Sequence, residues 1–142
     1  MEPSQQCVSQ KTAERLKELG VPQKSYFYYI LHREKWRLES GILFDTVDGE
    51  WGCGCCLLDL EHISAFTSGE LGEMLPSNLE KKESENIFSL FRLRIEKFAN
   101  STWWVSYNHC DESLVKEFDD KNLPEAMGKM LIHLLENKLI TL

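Results

Sequence analysis

The densest group of reactive side chains in the sequence is Cys53-Gly54-Cys55-Cys56, followed by His62, with a second pair at His109-Cys110. Thiolate and imidazole are the ligands zinc prefers, and a structural site needs four of them in a tetrahedron, usually as two spaced pairs. Cys53 and Cys55 make a tight C-x-C pair and His109-Cys110 an adjacent one, so neither has the usual separation. Cys53 and Cys56 also read C-x-x-C, but no helix of a βαβ unit follows, as a redox dithiol needs. Adjacent Cys55 and Cys56 are poor disulfide partners, because neighbouring side chains of an extended chain point apart. The simpler reading of the five cysteines is reduced thiols, some small core hydrophobes and others in a loop. No metal or cofactor is expected on this reading; a small zinc-binding module organised by Cys53–His62 is the alternative.

Catalytic constellations are no better formed. The chain lacks a G-x-S-x-G elbow, a phosphate loop and a dinucleotide fingerprint. Ser68-Gly69 falls at a helix start, where serine serves capping, and His133 precedes the apolar pair Leu134-Leu135 as a boundary residue. Glu34, Glu39, Asp45, Asp48 and Glu50 fall in hairpins and a loop, the ordinary place for solvated charge. No catalytic and no cofactor-binding residue is assigned, and the balance is against an enzyme.

The elements that must position these residues follow from periodicity and punctuation. Ser9 is an N-cap for a helix whose stripe is Ala13, Leu16 and Leu19, ended by Gly20 and Pro22. Ser25–His32 is aromatic and β-branched, hence a strand, and Trp36–Glu39 pairs back on it as a hairpin. Gly41–Phe44 continues a strand, Asp45–Gly54 is a loop, and Cys55–Leu60 reads as either. Thr67-Ser-Gly-Glu70 has capping-box spacing before a short helix that Pro76 stops. Ser77–Asn86 is densely charged and reads as a solvated linker. Phe91–Glu96 alternates strictly, with Phe91, Leu93 and Ile95 inward, and Thr102–Tyr107 returns beside it after a turn at Asn100-Ser101. Asn122-Leu-Pro-Glu125 supplies an N-cap, an early proline and a second capping box for a last helix. Its face is Leu123, Ala126, Met127, Met130, Leu131, Leu134 and Leu135, and Asn137 follows it as C′ residue. Separate strand and helix blocks predict a single α+β domain over 1–142, with a loose leader at 1–8. Its antiparallel sheet is expected to hold about four to five strands, with helices on one face.

Several of these stretches, KTAERLKELGVPQKSYFYYI (11–30), ISAFTSGELGEMLP (63–76), KFANSTWWVSY (97–107) and NLPEAMGKMLIHLLENKLI (122–140), resemble a family of small bacteriophage and prophage proteins of gut bacteria. They span a little under half the chain. The resemblance implies a phage or prophage origin and a cytoplasmic location, and it carries no catalytic set and no site. The cysteine cluster and the acidic loop lie outside it.

Charge and aromatics narrow the partners. The formal net charge is −7, with no basic stripe to neutralise phosphates, which disfavours nucleic acid and anionic membrane alike. Met1–Gln10 lacks the basic start and apolar block of a secretory signal. Asp111–Glu125 holds six acids against two bases. That composition reads as a solvated loop before the last helix, and as a DNA-mimicking inhibitor of a host protein only in third place. Trp103 and Trp104 are strand neighbours and must face opposite sides of the sheet. One is expected in the core. The other, together with alternate residues of Tyr26–Tyr29, needs a cover that the helices hardly supply. The expectation is therefore a homodimer, or binding to a host or phage protein, through a sheet face.

Overall fold

The computed structural model describes residues 2–40, 61–85, 87–109 and 114–142. After a short 3₁₀ turn at Pro3–Gln5 the first helix, α1 (Gln10–Glu18), begins where the Ser9 hydroxyl accepts from the Thr12 N–H. It ends in a Schellman turn: Gly20 sits at φ +82°, its N–H donates to the Lys17 carbonyl, and the Val21 N–H donates to Leu16. Only glycine holds that backbone without strain, and the turn folds Val21 back into the core beside Leu16.

A three-stranded antiparallel sheet follows, ordered β2-β1-β3, from β1 (Phe27–His32), β2 (Lys35–Ser40) and β3 (His62–Ser64). The β1–β2 hairpin turns on Arg33 and Glu34, both at positive φ (49° and 62°), as a two-residue hairpin turn requires. Next, α2 (Ser68–Met74) leads into an antiparallel meander of β4 (Asn78–Ser84), β5 (Ile87–Lys97), β6 (Trp103–Asn108) and β7 (Leu114–Asp120). The last helix, α3 (Leu123–Glu136), packs on β6, β7, α1 and α2.

One core joins these parts. It draws Leu16 from α1, Ile63 from β3, Leu71 from α2, Leu79, Phe91, Val105 and Tyr107 from the four-stranded sheet, and Met127, Met130, Leu131 and Leu134 from α3. The helices approach closely. A Cβ at Gly128 would stand 2.8 Å from Thr12 Cγ2 and 2.9 Å from Val8 Cγ1, so α3 can lie against α1 only with glycine there. Tyr107, fully buried, donates its hydroxyl to the Pro76 carbonyl and ties β6 to the segment after α2.

The α+β class holds, with both sheets antiparallel, but seven strands in two sheets replace one sheet of four to five. Two of the added strands come from charged stretches. Ser77–Asn86 reads as a linker, yet 78–84 pairs along β5 with Leu79 buried opposite Phe91. Asp111–Glu125 reads as a solvated loop, yet 114–120 pairs along β6, with Phe118 opposite Val105 and packed on the core. Both are outermost strands, where one apolar side chain per turn of the pleat suffices and charge protects the free edge. The leader is not loose to its end, since Cys7 and Val8 are fully buried and the Val8 N–H donates to the Phe66 carbonyl. Ile95 stays 40 % exposed although it shares a face with Phe91 and Leu93. At the far end of α3 the positive φ falls on Lys138 (52°), so Asn137 is the C-cap and Lys138 the C′ residue.

Candidate functional site

Two places concentrate polar or aromatic side chains, and they differ in kind. The first is a knot where residues 7–9 meet the starts of all three helices. Cys7 bridges to Thr67 at the start of α2, and Asn122 Nδ2 before α3 donates to the Cys7 carbonyl at 3.0 Å. Tyr29 donates its hydroxyl to the Val8 carbonyl at 2.8 Å. Glu70 closes the capping box expected at Thr67: its carboxylate accepts the Thr67 N–H at 2.8 Å, and the Thr67 hydroxyl accepts the Glu70 N–H at 3.3 Å. The same carboxylate also accepts from the Ser25 hydroxyl and the Tyr26 N–H.

Glu125 departs from its expected role. It does not cap its own helix, because Asn122 makes no side-chain cap bond. Instead its carboxylate reaches α1 and accepts from the Ser9 N–H at 2.8 Å and from the Ser9 and Thr12 hydroxyls. In a local capping box the third helical residue supplies that carboxylate; in α1 this residue is Thr12, and α3 supplies the acid in its place.

This knot holds a thiol, a phenol and two carboxylates, yet its chemistry is that of a clamp. Burial, with Glu70 and Glu125 adding to it, pushes the Cys7 thiol up to about 11. A nucleophilic cysteine needs the opposite, a thiolate favoured by positive surroundings. Burial likewise raises the Tyr29 phenol to about 12, helped by Cys7 and Glu125. Both groups stay protonated at neutral pH, and both carboxylates are committed to helix starts.

The remaining candidates are scattered. His62 lies edge-on to Tyr28 at 5.8 Å, His109 against Phe91 at 5.5 Å, and His133 against Phe118 at 5.9 Å. Desolvation, seconded by Lys116, lowers the His133 pKa, as suits its boundary position. Among the described residues no three of His, Cys, Asp and Glu come together as a metal site. Cys53, Cys55, Cys56 and Cys110 lie outside the described residues, as do Asp45, Asp48, Glu50 and the segments expected at 41–60. Glu34 sits in the hairpin turn and Glu39 on β2, away from one another, and Ser68 opens α2.

The second place is the outer face of the four-stranded sheet. Alternation along β5 turns Phe91 and Leu93 toward the helices and leaves Phe88, Leu90, Arg92, Arg94 and Glu96 on the other side. Cross-strand register adds Trp104, Ser106 and Asn108 from β6, and Glu117 and Asp119 from β7. Phe88 is 60 %, Leu90 42 % and Trp104 36 % exposed. At the hairpin end Phe98, itself exposed, packs against Trp104 with ring centroids 4.7 Å apart and the rings tilted 45°, and Arg94 pairs with Glu96 at 2.7 Å.

Trp103 and Trp104 do take opposite faces, but neither becomes core. Trp103 shares the helical side with Val105 and Tyr107, yet it opens β6 at the sheet's end and is only half-buried, with Lys97 Nζ 5.2 Å from its ring. The core side chains of that strand are the ones further along. Of the tyrosine-rich stretch only Tyr26, just before β1, is open at 62 % exposure; within the strand Tyr28 and Ile30 are buried and Tyr29 packs on the core. Sequence reasoning missed Phe88, Leu90 and Phe98 as surface aromatics and aliphatics. The signal was present in the same alternation that places Phe91 inward, because residues three and one before it must face out.

No family model, curated protein or solved structure matches the chain. No helix among the described residues is long and apolar enough to cross a membrane.

Proposed function

We propose that this is a phage- or prophage-type cytoplasmic protein that works by association rather than catalysis, as a homodimer joined through the outer face of the four-stranded sheet. The observation that carries the reading is the exposure of Trp104, Leu90 and Phe88 on a face that no described helix covers. Exposed aromatics on one sheet face are typical anchors of protein association. The polar knot supports the same reading, because its reactive groups are spent on joining helices. Glu117 and Asp119 share their face with Arg92 and Arg94, so the mixed charge speaks against the carboxylate array of a DNA mimic.

Light scattering at micromolar protein tests the proposal. The wild type is expected as a dimer, and Trp104→Arg as a folded monomer, since a charge in the centre of the contact leaves the helical core untouched. A wild type that stays monodisperse and monomeric would reject it.

A further inference from the structure

We infer that the second copy docks about a two-fold axis running along β6, so that β5 of each protomer lies over β7 of its partner and Arg94 meets the partner's Glu117. The inference rests on the sheet-face reading and specifies its geometry. Arg94, Ser106 and Glu117 form one cross-strand row, with β6 in the middle. Rotation by half a turn about the middle strand exchanges the two outer columns without moving any residue along the strand. In this row a basic side chain then faces an acidic one in both halves of the interface, as an isologous contact demands. The residues nearest the axis are Trp104 and Ser106, so the exposed indole meets its own copy. A two-fold across the strands would instead lay β5 on β5 and set the Arg92/Arg94 pair against itself.

The neighbouring row, Glu96–Trp104–Asp119, would by the same rotation bring acid toward acid. Arg94 already holds Glu96 at 2.7 Å and offsets part of that repulsion. Aligned sheets also cross at about −30°, which slides the flanking columns by a couple of ångströms. That displacement stays within reach of an arginine that can bridge two carboxylates.

Charge exchange across the two-fold tests this arrangement. Arg94→Glu and Glu117→Arg are each expected to weaken self-association at least about tenfold, because each places like charges opposite one another twice. Mixed in equal amounts, the two variants are expected to recover a heterodimer, since both cross-contacts are then of opposite sign. Circular dichroism of each variant should match the wild type. Dimers unaffected by either reversal, or a mixture that stays monomeric, would overturn the two-fold. If Trp104→Arg still abolishes the dimer in that case, the sheet-face reading stands and only this geometry falls. A monomeric wild type would overturn both.

Discussion

The polar knot at the helix starts and the outer face of the sheet carry similar residue types, yet they put them to opposite use. In the knot, Glu70 and Glu125 each collect several donors within hydrogen-bond distance, and Cys7 and Tyr29 are held neutral by burial. On the sheet, Arg94, Glu96, Glu117 and Trp104 stand in solvent. Reactivity needs a perturbed group that retains a free side toward a substrate, and in the knot Cys7 is fully buried while the Tyr29 hydroxyl is spent on the Val8 carbonyl. The knot joins three helices, and the sheet offers surface.

The contrast can be broken or sharpened by substitution. The largest effect belongs to the core beneath both regions: Leu131→Ala should cost about 2–5 kcal/mol, read as a lowered midpoint in urea. Leu131 is fully exposed to its neighbours and not at all to water, so an unchanged midpoint would mean that α3 is not packed as described. Next comes the knot. Glu125→Ala should cost about 1–3 kcal/mol by stranding the Ser9 N–H and the Ser9 and Thr12 hydroxyls. Thermal denaturation of that variant beside Thr67→Ala, expected at roughly 0.5–2 kcal/mol, would show whether the borrowed cap of α1 is as strong as the local cap of α2.

The smallest effect is pH-dependent. Burial alone would raise the Asp120 pKa, but the Lys129 ammonium at 2.8 Å and the Asn122 N–H at 2.9 Å outweigh it and hold the carboxyl below its usual range. A carboxyl with a lower pKa folded than unfolded contributes stability that is complete above the unfolded value near 4 and fades as pH falls through the folded one. Both partners are partly exposed, so the contribution is about 0.2–1 kcal/mol. Asp120→Asn should therefore lie below the wild type in melting temperature at pH 7 and converge on it toward pH 3. A gap that is constant with pH would place the loss in the hydrogen bond to Asn122 and not in the charge.

Local structure was legible wherever a residue acts on its own neighbours. Ser9, Thr67 and Gly20 begin and end helices through bonds spanning a few residues, and those positions stand as the sequence implies. The stripe of α3 and the alternation around Phe91 are legible for the same reason. Less was legible where a partner decides. Nothing within Asn78–Ser84 distinguishes an edge strand from a charged linker until β5 lies beside it. Glu125 has correct local spacing for its own helix and bonds to another, because α1 starts with Thr12 where a carboxylate is needed and α3 passes within reach.

Sequence alone therefore determined the antiparallel α+β class, the caps at Ser9, Gly20 and Thr67, the buried face of α3 and the opposed directions of Trp103 and Trp104, since each depends on spacing along the backbone. Tertiary structure decided that the strands divide into two sheets, that both tryptophans escape the core, and that the carboxylates near Cys7 act as clamps. Those outcomes depend on register and on which surfaces meet, and a chain settles them only once distant segments compete for the same core.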